Sequence, residues 1–411
     1  MSKRIGNLKD KLISKETFYK AFSEGTAHKR TDGPVRKLWS GTAQEVWVPN
    51  SGMDTSDFFD KEKVDAFGEV ILKKLSSGRY RHKTPGHKYV YCTSKSKGSK
   101  GGKWRNLCLP ELDDHIVQHM LFDVCEPAFT RGMYRFCMGN VPGRGTRAVV
   151  DTVSHWCKDC KDWNYFVKID IYHFFESIRL EDIQKALRKK IKDEYVLKVH
   201  DSVLQSAGVP VPIGYFLSPW YGNLILEPLD HLIVENISKV RKGKRVKAVS
   251  HYIRFVDDML LMGQSRRELR RAVRVIEEWL ETNLGMHLKP TWEVKQIAEY
   301  DDAGKIKKGT YQIDFVGYRF DRTRTILRDH VYLSTRRLAN KLQKKSIRAW
   351  VSPKECQTYV SKVGMASHID NYKLLNELNQ KFPLSKARKV ISDDAKCRIF
   401  RTAKTVRDTL S

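Results

Sequence analysis

The chain has 411 residues, which is enough for one large compact unit or two to three ordinary domains. Its 76 lysines and arginines outnumber 48 aspartates and glutamates, which gives a formal net charge of +28. Because such a surplus repels itself within a compact chain, it favours a polyanionic partner, and nucleic acid is the first candidate. No apolar run reaches the roughly 20 residues of a membrane span, and the N-terminus lacks the apolar stretch of a secretory signal. We therefore predict a cytoplasmic protein with no membrane partner.

The eight cysteines are scattered, and in a reducing cytoplasm they are expected to be free thiols. Cys157 and Cys160 form the only close pair in the sequence. A single C-x-x-C is a weak zinc signal, and the alternative is two small residues on a Trp-bearing helix. His115 and His119 lie four residues apart on a predicted helix without an evident third ligand, so packing or a surface position is the favoured interpretation.

The first elements alternate between helices and strands. Residues 1–75 are basic and mostly helical in pattern. In residues 78–105, aromatic and β-branched side chains flank a Lys/Gly/Ser tip, which predicts a hairpin with a basic loop. Residues 110–130 carry apolar positions at helical spacing, and residues 142–146 (PGRGT) open another helical run. Residues 165–171 (YFVKIDI) predict a short buried strand.

The middle of the chain is predominantly helical in pattern. Residues 179–206 are predicted to be helical, and residues 208–214 (GVPVPIG) form a rigid Gly/Pro loop. A second helix rich in large apolar residues is predicted at 218–237. Residues 239–247 (KVRKGKRVK) are predicted to be a basic linker.

The linker leads into residues 252–263 (YIRFVDDMLLMG), where two apolar arms flank adjacent aspartates. Ser265 and Glu268 have the spacing of a capping box and predict the start of a helix. Another hairpin is predicted at 311–328. From residue 331 onward the pattern is helical and strongly basic, which predicts a separate module.

Acidic residues lie inside apolar runs, where carboxylates are rare unless they are paired or bind a metal. Asp170 lies in YFVKIDIYHFF, and Asp257 and Asp258 lie in YIRFVDDMLLM. If these runs pair in one sheet, three carboxylates meet, and a divalent cation such as Mg²⁺ is needed to offset their repulsion. Two such ions about 3.5–4 Å apart support phosphoryl transfer, so the pattern favours a nucleic-acid polymerase or nuclease. The alternative is that the Asp-Asp pair is a hairpin turn or a helix cap.

The order of motifs from about residue 79 to residue 330 resembles that of the reverse transcriptases. The matching segments are WRNLCLPELDDHIVQHML (104–121) and PGRGT (142–146) for the fingers, KIDIYHFF (168–175) for the first palm motif, GVPVPIGYFLSP (208–219) with Asn223 for the second, FVDD (255–258) for the aromatic-x-Asp-Asp box and DFVGY (314–318) for the primer-grip hairpin. Phe255 stands where Tyr is usual. Ile213 stands where Gln is frequent, and this form resembles diversity-generating retroelement enzymes and defence-associated "unknown group" enzymes.

The resemblance implies an α+β right-hand polymerase with fingers, palm and helical thumb, in which the palm is a small antiparallel sheet packed on helices. The implied domains are an N-terminal helical extension at 1–75, fingers at 76–165 with part of 179–217, a palm at 166–330 and a basic helical thumb at 331–411. It also implies a catalytic metal site for two Mg²⁺ ions, with Mn²⁺ as an alternative. Asp170 and Asp257 would ligate both ions with Asp258 assisting, and Ile171 would belong to the same site.

The same resemblance implies positions that meet the incoming dNTP. Phe175, five residues after Asp170, would lie under the sugar and exclude a 2′-hydroxyl, although residue type alone favours core packing. Gly214, next to Ile213, would let the backbone approach the nascent pair closely. Lys289 and Lys295 are both candidates for the lysine near the leaving pyrophosphate.

Two further basic residues are candidates for the triphosphate, because arginine makes bidentate charge-assisted bonds to phosphate. They are Lys103 and Arg105, and the alternative for both is a solvated surface cluster.

Template and primer contacts are implied for a third group of positions. Arg144 in PGRGT would meet template phosphates, and the alternative is a simple turn before a helix. Phe255 in the FVDD box and Phe315, Gly317 and Tyr318 in the predicted primer-grip hairpin would meet the template or primer strand.

The implied activity is RNA-directed DNA synthesis, in which a 3′-hydroxyl or a protein hydroxyl attacks the α-phosphate of a dNTP. The expected partners are a structured non-coding RNA template, dNTPs and the DNA product, and the expected setting is bacterial antiviral defence. A diversity-generating retroelement enzyme, or less favourably a retron enzyme, is the alternative within the family. Outside that activity, the alternatives are an RNA-binding scaffold and an RNA-templated RNA polymerase, against which Phe175 argues.

Overall fold

The computed structural model describes residues 4–27, 33–38, 59–92, 103–209, 211–241, 244–348, 350–369 and 371–394. The tip of the predicted basic hairpin, residues 93–102, and the C-terminal residues 395–411 lie outside the described residues. The chain forms two compact units. The first combines Met1–Thr17 with Leu75–Thr325, and the second combines Phe18–Lys74 with Ile326–Ser411.

The described secondary structure mixes helices with short strands. The helices are Lys9–Leu12, Lys15–Thr26, Gly33–Arg36, Lys61–Ser76, Leu112–Thr130, Thr146–Asp159, Phe174–Ser177, Leu180–Lys190, Glu194–Gln205, Ser218–His231, the π-helix Leu232–Asn236, Arg266–Leu284, Asp329–Arg348, Pro353–Ala366, Tyr372–Lys381 and residues 384–394. The strands are β1 (Gly86–Cys92), β2 (Lys103–Leu109), β3 (Tyr165–Asp170), β4 (Ser238–Arg241), β5 (Lys244–Lys247), β6 (His251–Phe255), β7 (Asp258–Gly263), β8 (Lys295–Ile297), β9 (Thr310–Tyr311), β10 (Ile313–Phe315), β11 (Tyr318–Phe320) and β12 (Thr325–Leu327).

The first unit is built around a five-stranded sheet with the order β6-β7-β3-β8-β9. The pairs β6–β7, β7–β3 and β3–β8 are antiparallel, whereas β8–β9 is parallel. The sheet is therefore mixed, whereas the family resemblance implied an antiparallel sheet. Strand β3 is central, and its Phe166, Val167 and Ile169 are buried. Burial of these apolar side chains on the faces of the sheet supplies most of the driving force for pairing.

The helix Arg266–Leu284 packs on β3 and β7. It begins where predicted, because the Ser265 side chain accepts a hydrogen bond from the Glu268 backbone N–H at 3.4 Å. It ends at Gly285, which has a φ of +64° and forms the left-handed C-terminal cap. Its buried residues recur at helical spacing and cover one face of the sheet; they include Leu269, Val273, Ile276 and Leu280.

Three predicted elements differ in detail from the structure. The predicted helix at 179–206 is two helices, because Asp193 caps a new helix by accepting from the backbone N–H groups of Tyr195 and Val196. The predicted helix at 218–237 changes to a π-helix after His231. The predicted basic linker forms the antiparallel hairpin β4–β5.

The second unit contains the helices from Asp329 onward and part of the N-terminal region. Tyr359 lies at the centre of its C-terminal helices, and its hydroxyl donates to the carbonyls of Leu378 at 3.0 Å and Phe382 at 2.9 Å. Its N-terminal part is held by an aromatic cluster in which Phe22 meets Phe59 at 4.9 Å. No helix among the described residues is long and apolar enough to cross a membrane.

Candidate active site

Three carboxylates meet at one end of the central sheet. Asp170 ends β3 and lies opposite Asp258, the first residue of β7, in the antiparallel register. Asp257 belongs to the two-residue turn that joins β6 to β7. The two apolar runs that carry the aspartates therefore pair, as expected from the sequence.

The turn that carries Asp257 has an unusual backbone. Val256, its first residue, has a φ of +59°, a region that β-branched residues rarely adopt. A two-residue hairpin favours positive φ at this position because that geometry matches the twist of the strands. The strain of a valine there must be offset by its surroundings.

Arg254 is fully buried and hydrogen-bonds to the backbone of this turn. Its Nη1 donates to the Val256 carbonyl at 3.0 Å and to Asn223 Oδ1 at 2.9 Å. Its Nη2 and Nε donate to the two carboxylate oxygens of Asp230 at 2.6 and 2.8 Å. Tyr252 also donates to Asp230, at 2.7 Å. Every nitrogen of the Arg254 guanidinium and both carboxylate oxygens of Asp230 are thus hydrogen-bonded, which is the condition under which such buried pairs are tolerated.

A backbone segment beside β6 closes the other side of the turn. Arg254 N–H donates to the Phe136 carbonyl at 3.1 Å, and Met138 N–H donates to the Arg254 carbonyl at 2.8 Å. A Cβ on Gly139 would lie 2.6 Å from both the Cγ2 and the backbone nitrogen of Val256. Only glycine fits this approach, so the position of Asp257 is fixed from two sides.

Two lysines approach the carboxylates. Lys289 Nζ lies 2.6 Å from Asp170 Oδ1, and Lys168 Nζ lies 3.1 Å from Asp258 Oδ1. Lys289 is also fixed by its backbone N–H, which donates to the Asp170 carbonyl at 2.8 Å. Lys295, the second candidate for the fourth motif, instead contacts Glu293 and the ring of Tyr311.

The environment of this cluster disfavours ionised carboxylates. Burial, followed by repulsion from Asp170 and Asp258, raises the pKa of Asp257 to about 6. Burial and the charge of Asp258 also raise the pKa of Asp170 against the opposing effect of Lys289. Both shifts show that the protein environment alone leaves the negative charge incompletely compensated.

The chemistry of the cluster fits divalent metal ions. Asp170 Oδ1 and Asp258 Oδ1 are buried and, within the described part of the chain, have no donor other than the lysine ammonium groups. The ammonium groups of Lys289 and Lys168 therefore supply positive charge beside these carboxylate oxygens. Carboxylate oxygens are the ligands that Mg²⁺ prefers. Ile171 follows Asp170 and forms an isolated β-bridge with Leu288. Its backbone therefore lies at the edge of the cluster.

The predicted nucleotide positions Phe175, Ile213 and Gly214 lie on a short helix and in the Gly/Pro loop. Phe175 is half-buried on the short helix Phe174–Ser177, near Gly222. The Ile213 carbonyl accepts from Cys108 N–H at 2.7 Å, which ties the Gly/Pro loop to β2. Gly214 has a φ of +116°, and a Cβ there would lie 2.4 Å from the Cys108 carbonyl oxygen. The structural requirement for glycine is therefore this contact with β2.

The predicted triphosphate residues lie on β2. Lys103 and Arg105 lie two residues apart on this strand, and Arg105 is exposed. Arg144, predicted to meet the template, donates through Nη1 to the carbonyls of Tyr134 at 2.9 Å and Cys137 at 3.0 Å. This guanidinium group helps to position the segment that packs beside β6.

The predicted primer-grip hairpin consists of β10 and β11. Val316 and Gly317 form its turn, both with positive φ, as a two-residue hairpin favours. Phe315 and Tyr318 are fully buried, and Phe255 at the end of β6 is half-exposed. In this arrangement the turn, rather than the two buried rings, is accessible to a nucleic-acid strand.

The two weak zinc patterns have different outcomes. His115 and His119 are buried, and the His119 ring stacks on Phe216 at 3.7 Å, which agrees with the packing interpretation. Cys157 is buried and Cys160 is half-exposed. Cys160 lies near Asp162 and His251, a grouping that the C-x-x-C pattern does not indicate.

The sequence reasoning missed Arg254 and Lys168. Arg254 lies inside YIRFVDD, so the rule that identified the aspartates, a charge within an apolar run, also applied to it. Lys168 alternates with the buried residues of β3 and resembles an ordinary exposed strand position.

The chain is similar to known proteins. The family model described as "Reverse transcriptase (RNA-dependent DNA polymerase)" matches residues 95–320, more than half of the chain. Protein YkfC of Escherichia coli strain K12 is 22% identical over 292 residues, which cover 60% of this chain and 75% of YkfC. Retron Ec73 reverse transcriptase of E. coli is 27% identical over 105 residues, which cover 24% of this chain and 32% of the relative.

Among solved structures, a telomerase from Candida albicans bound to a fragment of telomeric RNA aligns with 90% of this chain and 71% of its own, at 11% identity and a TM-score of 0.43. The family match covers both strands of the carboxylate cluster and the segments between them. The chain therefore belongs to the reverse transcriptases, with their α+β right-hand fold, and is an RNA-directed DNA polymerase.

Proposed function

We propose that Asp170, Asp257 and Asp258 are the catalytic carboxylates and hold two Mg²⁺ ions, with Mn²⁺ as an alternative. The observation that carries this proposal is the register of β3 and β7, which pairs Asp170 with Asp258 beside the Asp257 turn. When bound, the ions would activate the attacking hydroxyl and neutralise charge at the α-phosphate. The hydrogen bonds that Arg254 donates to the Val256 carbonyl and to Asp230 would keep Asp257 in place during this reaction.

The surrounding residues would bind and select the nucleotide. Once cations replace them at the carboxylates, the ammonium groups of Lys289 and Lys168 become available to phosphate oxygens, and Lys103 and Arg105 would add charge on β2. The Phe175 ring would exclude a ribose 2′-hydroxyl by its bulk. We assign the fingers to residues 76–165 with part of 179–217, the palm to residues 166–330 and the thumb to residues 331–411.

The catalytic assignment is tested with the double variant Asp257→Asn and Asp258→Asn, which keeps size and removes two carboxylates. We expect no measurable dNTP incorporation on an RNA template and unchanged binding of that RNA, because the basic surfaces stay intact. Asp302→Asn, an exposed aspartate, is the matched control and should keep full activity. Incorporation by the double variant would show that the active site lies elsewhere.

We further propose that the enzyme copies a dedicated structured non-coding RNA in bacterial antiviral defence. The Pro212-Ile213-Gly214 form of the second motif and the net charge of +28 support this proposal. Sequencing of RNA and DNA that co-purify with the protein should recover one dominant RNA and its complementary DNA. Phage challenge of cells should show protection that the double variant abolishes. A scaffold function would instead leave protection intact in the variant.

The alternative settings are a diversity-generating retroelement and a retron. The retron setting draws support from the similarity to Retron Ec73 reverse transcriptase, although that similarity spans only 24% of this chain. The same sequencing experiment distinguishes the settings, because cDNA that maps to a variable protein gene would favour a diversity-generating element. In every setting, RNA affinity should fall steeply with salt as phosphate contacts release counterions.

A further inference from the structure

A cluster of metal-ligating side chains lies at the end of the sheet opposite the carboxylates. Cys160, Asp162 and His251 each offer one ligand atom, and these atoms all lie within 4.8 Å of one another. Asp162 precedes β3, and five steps of about 3.3 Å along that strand separate Tyr165 from Asp170, a distance of about 17 Å. The cluster is thus separate from the proposed catalytic site.

Three different elements bring the cluster together. Cys160 follows the helix Thr146–Asp159, Asp162 lies in the loop before β3, and His251 begins β6. The His251 ring stacks on Trp156, with ring centroids 4.8 Å apart, and its Nε2 lies 2.8 Å from Asp162 Oδ1. The ring orientation is therefore fixed before any ligand binds.

The backbone beneath these residues is also held in place. Arg322 Nη1 donates to the Cys160 carbonyl at 2.6 Å, and the guanidinium group stacks over Trp163 at 4.3 Å. Ser250, next to His251, donates through Oγ to the Asp162 carbonyl at 2.9 Å. Such outer contacts orient ligands and strengthen metal sites. An ordinary ion pair between Asp162 and His251 would require neither this support nor a thiol within reach.

The ligand chemistry indicates the metal. A thiolate, an imidazole and a carboxylate form a ligand set typical of zinc, whereas Mg²⁺ prefers oxygen ligands.

We propose that Cys160, Asp162 and His251 form a zinc site that joins the starts of β3 and β6. On binding, the Cys160 thiol releases its proton to solvent, and the His251–Asp162 contact is exchanged for two bonds to the metal. The site would stabilise the end of the sheet remote from the catalytic carboxylates.

The test uses the full-length protein, stripped with a chelator and titrated with Co²⁺ in excess Mg²⁺. Cobalt reports thiolate ligation by a charge-transfer band in the near ultraviolet, which the carboxylate cluster cannot produce. We expect one equivalent of Co²⁺ to give this band, Zn²⁺ to bleach it, and elemental analysis to find about one zinc per chain. Absence of the band and of stoichiometric zinc would overturn the proposal.

Matched variants locate the ligands. Cys160→Ser should abolish the band, and His251→Gln should weaken Zn²⁺ binding by at least about 10-fold. Cys157→Ser and His155→Gln, which alter the neighbouring cysteine and an exposed histidine of the same helix, should leave the band unchanged. Asp257→Asn should also leave it unchanged, so this result is independent of the proposed catalytic function. A band that survives Cys160→Ser would refute the assignment of the ligands.

Discussion

Replacing Asp257 by Asn should stabilise the metal-free protein at neutral pH. Burial raises the pKa of Asp257 from 3.8 to about 6, so the folded state binds a proton more tightly than the unfolded chain. Below pH 4 the carboxyl is protonated in both states and carries no penalty. As the pH rises through 6, the folded state must ionise a disfavoured group, and stability is lost.

The magnitude follows from the shift. About two pKa units at about 1.4 kcal/mol each give up to about 3 kcal/mol at pH 7.5. The assay is urea unfolding with chelator present, at pH 7.5 and pH 4, with Asp302→Asn as the exposed control. The control should change stability by no more than about 0.5 kcal/mol.

Addition of Mg²⁺ at pH 7.5 should reverse the order, because the parent gains stability from metal that the variant binds less well. A stabilisation of Asp257→Asn that is equal at both pH values would refute the electrostatic explanation. A variant no more stable than the parent at pH 7.5 would show that the carboxylate is compensated without metal.

Three other changes test two packing contacts and the selection of the sugar. Arg254→Met should cost about 3–5 kcal/mol in unfolding experiments because it leaves Asp230 charged and buried, and adding Asp230→Leu should recover part of that loss. Gly214→Ala should destabilise the protein by about 1–3 kcal/mol, since its Cβ would collide with the Cys108 carbonyl at a strained φ; an unchanged melting temperature would contradict the contact. Phe175→Ala should admit rNTPs in primer extension, and unchanged discrimination would show that the ring is not the steric gate.

The carboxylate cluster could be predicted because charges inside apolar strands are costly and are rare unless they are paired or bind a metal. The same reasoning applied to Arg254, but its partner Asp230 lies on a helix, where an acidic residue is ordinary. Sequence spacing therefore gives no sign of the ion pair. Nor does it show that Arg144 donates to backbone carbonyls, because such bonds depend on chain segments brought together only by folding.

Periodicity failed where elements are short or charged. Strands β8 and β9 have three and two residues, too few for an alternating pattern to be recognised, so their parallel pairing was not foreseen. Lysines and arginines dominate β4 and β5, which therefore resemble a linker. The longer strands β3, β6 and β7 carry clear apolar runs and were identified.

The order of strands in the central sheet has a consequence for synthesis of the protein. Strand β3 lies between β7 and β8, and both of these neighbours follow it in the chain. During translation, its apolar residues Phe166, Val167 and Ile169 therefore leave the ribosome well before either edge of the strand can be paired. Closing such long-range contacts is slow, and an unpaired apolar strand is prone to aggregation. Extra chaperone that covers exposed apolar segments during synthesis should therefore improve the soluble yield of this enzyme.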